Sequence, residues 1–451
     1  MVSLKHLQEN KFQYGSLLVI FVLMMFRQWE RVHYYVLYAE DANIFFSRTF
    51  MYGYHSILMP YAGYLQVAPQ LISLFSYHIT PMYYPIVTLF ICSFIYASAI
   101  SQVVSPSYSW INNSLVVRFF LALSLTFIPG TIEIVGNLAN LHTVLFIYAT
   151  FRVMAKFDEK YSLLDYILFV ITAFSAGEFF LILPILLYRI FIVYTSRLKS
   201  IYVIQNLLIL IIIITSIIVN YKIATGMGVV GNRSLSDYVS FFIGYFPKFL
   251  LTISNRIFYL PFIGNSTIWF NQYFVMAIVT GVTMLFLTGL ITIRNKMYND
   301  RYFILLIIAL IAQMLLILLT ASVRTGAENT PYLGQLTDKA LLWVRYCIFM
   351  MPIVMIFWQV FLNKLLERLN LTKMAISLVL IFVSLYTIKM NGDRVIFRNF
   401  YGVPPKKLEE KYLWPYNARL IYNMVHDGKP ETLTLPSGPM GWDFTITQPQ
   451  K

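Results

Sequence analysis

Two adjacent acids, Glu40-Asp41, open the stretch Tyr38-Ala-Glu-Asp-Ala-Asn-Ile-Phe-Phe46, directly after the first hydrophobic segment of a chain in which only 12% of residues are charged. An acidic pair at a water–membrane boundary is costly to keep for packing alone, so it is a functional candidate by default. A carboxylate held there can accept a proton from a hydroxyl, the chemistry required to move a group from a membrane lipid onto an acceptor. The local alternative is that Asp41 is the N-cap of a helix running from Ala42 to Tyr52.

Three further constellations carry hydrogen-bonding or aromatic groups at spacings that suit a site. Met59-Pro-Tyr-Ala-Gly-Tyr-Leu65 places Tyr61 and Tyr64 around Gly63; tyrosines are sugar-stacking platforms, and they also form interfacial aromatic belts. Glu133-Ile-Val-Gly-Asn-Leu-Ala-Asn-Leu-His142 is rich in polar groups for a hairpin between apolar runs. Its Glu133, Asn137, Asn140 and His142 read either as acceptor contacts or as helix caps and a structural histidine. Late in the chain, Arg324, Arg345 and Tyr346 flank the start of an apolar run. Arg345 there either snorkels to the interface or offers its planar donors to a phosphate. The six histidines are scattered without paired spacing, so no metal site is expected, and no cofactor is implied. Walker motifs, dinucleotide fingerprints and nucleophile elbows are absent, which leaves a nucleotide-driven pump unsupported.

The elements that must position these residues are long apolar runs. Hydrophobic residues make up 59% of the 451 and mean hydropathy is +0.68, and several runs reach the roughly 20 residues needed to cross a bilayer. The expected class is an all-α polytopic membrane protein with about 11 transmembrane helices, near residues 14–36, 83–104, 117–134, 138–155, 163–177, 178–196, 201–221, 272–293, 302–321, 341–363 and 374–390. Continuous apolar runs exclude a transmembrane β-barrel, whose strands alternate. No cleavable signal peptide is expected, because Arg27, Glu30 and Arg31 follow the first run without a small-residue cleavage site. Cys92 and Cys347 both lie in apolar runs, so no disulfide framework is expected.

The net charge of +14 is not a nucleic-acid signature here. Its lysines and arginines, Arg118 and Arg189 among them, cluster in short loops on one side of the expected spans, as the positive-inside rule requires. That alternation predicts a cytoplasmic amino terminus, an outer loop over 37–82 containing interfacial helices, and a carboxyl-terminal segment, 391–451, on the outer face. The transmembrane unit would then be 1–390. Tyr412, Trp414, Tyr416 and Tyr422 are expected to build the core of a small cap in the tail.

The ordered set Glu40-Asp41-Ala-Asn-Ile-Phe45, Pro60-Tyr-Ala-Gly-Tyr-Leu65 with Pro69, Asn137-Leu-Ala-Asn-Leu-His142, Arg345-Tyr346 with Pro352, and a tail with Trp414 and Pro439-Met-Gly-Trp442 resembles the GT-C superfamily of polytopic glycosyltransferases. More narrowly, it is similar to bacterial serotype-converting glucosyltransferases that modify O-antigen. The chain departs from that pattern at Ala42, where relatives often carry Gly, at Gln70, where they often carry Arg, and at His142, where they often carry an aromatic residue.

The resemblance implies an inverting transfer of a sugar, glucose by family practice, from a polyprenyl-phosphate donor to a periplasmic glycan such as lipopolysaccharide O-antigen, in the bacterial inner membrane. The implied partners are that lipid-linked sugar, the glycan acceptor and membrane lipid, with no nucleic acid. An acid of the first outer loop is implied as general base, here Asp41 or Glu40, with Asp41 preferred. Arg345, with Arg324 and Tyr346, would hold the donor phosphate. Tyr61, Tyr64, Glu133, Asn137, Asn140 and His142 would contact sugar or acceptor. An O-antigen polymerase and a lipid-linked glycan flippase are the alternatives. The first predicts a larger central outer loop with paired arginines, and the second predicts charges buried in mid-span.

Overall fold

A computed structural model describes residues 4–35, 37, 40–128, 134–227, 243, 274–324, 350–392, 413–427, 431–436 and 443–447. These residues are mostly helical. Among the described residues four helices are long and apolar enough to cross a membrane: Pro81–Val104, Gly177–Thr195, Ser200–Gly226 and Lys373–Met390. Shorter apolar helices accompany them, among them Leu115–Thr126, Leu141–Met154 and Leu163–Ala173.

The first helix, α1 (Leu4–Arg27), stops nine residues short of the expected end near Val36. Arg27 explains the stop: its guanidinium donates to the Thr126 carbonyl and lies 4.8 Å from the centre of the Phe127 ring, so its charge is settled at the helix end. A short helix, α2 (Trp29–Tyr34), follows and ends at Tyr35, whose φ of 52° turns the chain into the first loop. That loop contains a six-residue π-helical segment (Asp41–Phe46), α3 (Ser47–Tyr52), a 3-10 turn (Gly53–Leu58) and α4 (Val67–Ile79). Tyr54, Leu58, Phe75 and Ile79 are exposed on its outside, the apolar face expected of helices lying in a membrane interface.

The body of the bundle then runs through α5 (Tyr84–Ser101), α6 (Leu115–Thr126), α7 (Leu141–Met154), α8 (Leu163–Ala173), α9 (Leu183–Thr195), α10 (Ser200–Gly226), α11 (Phe274–Arg294), α12 (Arg301–Arg324), α13 (Met351–Arg368) and α14 (Lys373–Gly392). Helix α5 packs against α1, α6 and α7; α9 against α10 and α12; and α14 against α6 and α13. The expected spans 117–134 and 138–155 are shorter as helices. Between them the chain turns over at Gly136, where φ is 85°.

One end of the bundle gathers the basic loops. Arg189 donates to the carbonyls of Val153 (3.0 Å), Ala155 and Lys156 (2.6 Å), and Arg118 to those of Val104 (2.9 Å) and Ser105. Both arginines are buried inside helices rather than free in the loops where the sequence places them. Each neutralises carbonyls left unpaired at a helix end. Lys364 bridges to Asp300, and Arg368 donates to the Asn295 carbonyl (3.1 Å).

The other end carries the first loop and, docked on it, the tail. Helix α15 (Trp414–Asp427) is followed by an antiparallel pair, β1 (Thr432–Leu435) and β2 (Phe444–Thr447), in register Thr432 to Thr447. The described residues are therefore not purely α-helical. Two of the tyrosines expected to build the tail core, Tyr416 and Tyr422, are exposed; Tyr412 lies outside the described residues. The buried tail residues are Trp414, Ile421, Met424, Leu435, Phe444 and Ile446. Trp414 packs outward from the tail, its ring 4.8 Å from that of Phe46 and its indole N–H bonded to the Pro81 carbonyl (2.8 Å).

Candidate functional site

Asp41 begins the π-helical segment but does not cap it. Its carboxylate reaches across the fold instead. Oδ1 accepts from the backbone N–H of Leu138 (2.8 Å) and of Ala139 (3.1 Å). The next N–H, that of Asn140, bonds to Oδ1 of Asn137 (2.8 Å). Three consecutive donors in the turn before α7 are thus held by two side-chain oxygens, while the first helical N–H, that of Leu141, bonds to the Leu138 carbonyl (3.1 Å). Asp41 is therefore not the N-cap of a helix from Ala42 to Tyr52; its bonds go to the turn that precedes α7, whose N-cap residue is Asn140.

Among the described residues the second oxygen of Asp41 has no hydrogen-bond partner, and the side chain is 0% exposed. An opening to the outer leaflet, expected for a base that meets substrate, is therefore closed over this side chain. Burial pushes the Asp41 carboxyl up to about 7. The charge of Arg31 and the N–H groups of Ala139 and Leu138 pull it the other way, and Glu40 adds to the rise. A base poised near the working pH is what proton abstraction favours.

Arg31 is the counter-charge and is itself buried; it donates to Oε1 of Gln28 (3.0 Å). Gln28 in turn lies against Gly136, where an added Cβ would meet its amide oxygen at 2.6 Å. A side chain at 136 would collide with the amide that orients Arg31. Buried polar atoms without partners recur on the elements around Asp41: Gln28 Nε2, Arg31 Nε, Gln66 Oε1 and both amide atoms of Gln70. Such atoms also occur elsewhere in the bundle, at Gln313 and Gln359 among others, and each is a place where a water would complete the bonding.

The Tyr61–Tyr64 segment is a tight turn, with mutual bonds between the two residues (Tyr61 N to Tyr64 O, 2.9 Å) and positive φ at Ala62 (55°) and Gly63 (92°). It presents Tyr61 to Arg48 and Phe45, and Tyr64 to the ring of His142 at 5.9 Å. Tyr64 also covers Gly177, where an added Cβ would stand 3.2 Å from the ring. Beside it, His142 Nδ1 lies 2.7 Å from Oε1 of Glu178. A carboxylate accepts only, so Nδ1 donates in this bond and Nε2 is the nitrogen left for a further partner.

Glu178 was not singled out from sequence. The signal was available: it is an acid in the apolar stretch Ala176-Gly-Glu-Phe-Phe180, which an apolar hairpin has no packing reason to keep. The structure therefore brings together Asp41, Asn137, Asn140, His142, Tyr61 and Tyr64. Glu40 stands next to Asp41, half-buried. Glu133, Arg345 and Tyr346 lie outside the described residues, and so does the side chain of Arg324 at the end of α12. Among the described residues no group of three or more His, Cys, Asp or Glu side chains gathers as a metal site would.

Neither protein-family models, nor curated proteins, nor solved structures gave a match to this chain.

Proposed function

We propose that this protein is a membrane glycosyltransferase of the GT-C type that moves a sugar from a polyprenyl-phosphate donor to a glycan hydroxyl on the outer face of a bacterial inner membrane. The observation that carries this reading is the Asp41 carboxylate, with one oxygen fixed by Leu138 and Ala139 and the other, among the described residues, unpartnered beside Arg31. A carboxylate fixed through one oxygen and free at the other is preorganised to take a proton without losing its position.

In the proposed reaction the first loop, closed over Asp41 in this structure, opens to admit the acceptor, whose O–H gives its proton to Asp41 Oδ2. The acceptor oxygen attacks the anomeric carbon from the face opposite the phosphate. The bond from that carbon to the phosphate oxygen breaks, and its electron pair leaves with the polyprenyl phosphate. The configuration inverts, and the leaving group is a stable anion that needs little acid assistance. Arg345, with Arg324 and Tyr346, is assigned to the donor phosphate by the resemblance alone. Tyr64, His142 and Glu178 lie one helical turn beyond the Asp41-bound turn, where an acceptor sugar could stack and hydrogen-bond. The proposal includes eleven passes of the membrane, with the amino terminus cytoplasmic and the tail periplasmic. The contacts between basic loops at one end and between tail and first loop at the other support it.

The test is transfer by purified full-length protein from polyprenyl-phosphate glucose to a delipidated O-polysaccharide. Asp41→Asn keeps an oxygen for Leu138 and Ala139 but removes the base, so transfer should fall roughly 100- to 10,000-fold. Undiminished transfer in a folded Asp41→Asn protein would return the residue to a purely structural cap.

A further inference from the structure

The basic end of the bundle holds a cleft of about 450 Å³ that the transfer reaction does not use. It is lined by Trp110, Asn113, Lys156, Tyr302, Lys364, Glu367 and Lys373, among others. One wall is an aromatic pair, Trp110 stacked on Tyr302 with ring centres 5.0 Å apart and planes 5° from parallel.

Its charges are unequally committed. Lys364 is bound to Asp300, and Glu367 accepts from Asn363 (3.0 Å). Lys156 and Lys373 have no ion-pair partner among the described residues, and the indole N–H of Trp110, also without a partner, is shielded from water. Three helices of twelve or more residues begin around this cleft: α6 after Ser114, α12 at Arg301 and α14 at Lys373. Side chains already bond N–H groups at these starts, Ser114 on α6, the Asp300 carboxylate on α12 and Thr372 on α14, so the pull on an anion comes from the two uncommitted lysines.

A second observation says what kind of anion. Helix α14 starts at the cleft mouth, and Met374, Leu378, Phe382 and Leu385 follow at helical spacing, all exposed. Leu369 and Leu371 are exposed beside them. A soluble phosphate has no use for that apolar stripe, whereas a lipid held by its headgroup would lay its acyl chains along it. Basic pockets between helices on the cytoplasmic side of membrane proteins suit anionic lipid headgroups.

We propose that this cleft binds the phosphodiester headgroup of an anionic membrane phospholipid, with Lys156 and Lys373 on the phosphate and the Trp110 N–H on a phosphate or ester oxygen. Glu367 and Asn113 can accept from the hydroxyls of a glycerol headgroup. The lipid would fasten α6, α12 and α14 together at the end opposite Asp41.

The experiment titrates delipidated full-length protein in detergent with phosphatidylglycerol and counts bound lipid by native mass spectrometry. Saturable binding is expected, with affinity reduced roughly tenfold by each of Lys156→Gln and Lys373→Gln, the size of one charge-assisted hydrogen bond. Lys199→Gln, an exposed change at the same end, should leave binding unaltered. Trp110→Phe keeps the stack and loses only the N–H, so it reads the site even if the lysine variants fold poorly. Unchanged lipid affinity in Lys373→Gln and Trp110→Phe overturns the proposal. So does displacement of the lipid by an equal concentration of inorganic phosphate, which would mark a free-phosphate site.

Discussion

Asp41 and Leu138 are 97 residues apart in sequence and 2.8 Å apart in the fold, joined by a carboxylate oxygen and a backbone N–H. The bond makes the first loop and the start of α7 one unit, and it fixes which oxygen of Asp41 is left for chemistry. The pH dependence of transfer should report that oxygen. Burial holds the carboxyl near 7, so kcat/KM is expected to rise with pH through about 7 and then level as Asp41 becomes fully ionised. Stability should move the opposite way. The folded protein binds a proton that the unfolded chain releases near the ordinary value of 3.8, so this group's contribution is fully present below 3.8 and is lost as pH rises through about 7. Asp41→Asn should therefore melt no lower than the parent at pH 8 while losing transfer. A lower melting temperature at pH 8 would contradict a carboxylate whose ionisation is disfavoured by burial.

Glu178 is expected to hold His142 with Nδ1 donating and Nε2 left for a further partner. Glu178→Gln should raise KM for the glycan acceptor roughly tenfold, the size of one hydrogen bond to a charged group, and leave KM for the donor unchanged. His142→Phe keeps the ring against Tyr64 but removes both nitrogens, so it should show the same acceptor-selective defect. If both variants shift only the melting temperature, the pair is structural.

How far the sequence revealed this arrangement depended on whether the signal was local. Apolar run length placed most helices, because spanning or burying a helix imposes a continuous pattern over many residues. The acid pair was visible because a charge in that context is expensive. What was hidden is pairwise and long-range: nothing in Asp41's neighbourhood specifies Leu138, and nothing around Trp414 specifies Pro81. Arg118 and Arg189 read as loop cations, since sequence does not show that their heads turn inward to carbonyls. Glu178 was legible by the same rule that found Asp41. The tail strands were not, because Thr432–Leu435 and Phe444–Thr447 are four residues each, too short for an alternation to stand out.

Gly136 should be the most sensitive small residue near the site. Its φ of 85° disfavours any side chain, at about 1–2 kcal/mol. A Cβ there would also stand 2.3 Å from Leu89 Cδ1 and 2.6 Å from the Gln28 amide oxygen, adding about 1–3 kcal/mol of overpacking. Gly136→Ala is expected to lower the melting temperature and to reduce transfer further than stability alone explains, because the turn it distorts carries the Leu138 and Ala139 donors. Comparing Gly136→Ala with Gly53→Ala separates the two effects: Gly53 also has positive φ (51°) but has nothing within 4 Å of an added Cβ.

Trp414 ties the tail to the loop that bears Asp41, and so tests the topology and the site together. Its backbone N–H bonds to the Tyr35 carbonyl (3.1 Å), its indole N–H to Pro81, and its ring packs on Phe46, five residues after Asp41. The tail can make these contacts only if it lies on the same side of the membrane as the first loop. A reporter fused after Lys451 should accordingly be active in the periplasm, and cysteines placed at 35 and 413 in a chain with Cys92 and Cys347 replaced by serine should cross-link. Trp414→Phe keeps the packing and loses one hydrogen bond, so a loss of about 0.5–1.5 kcal/mol and near-normal transfer are expected. Trp414→Ala empties a buried site, at about 3–5 kcal/mol, and should release the tail and lower transfer by loosening the π-helical segment under Asp41. A cytoplasmic tail in the fusion assay, or full transfer by a protein truncated before Leu413, would separate the tail from the site and remove the proposed outward orientation.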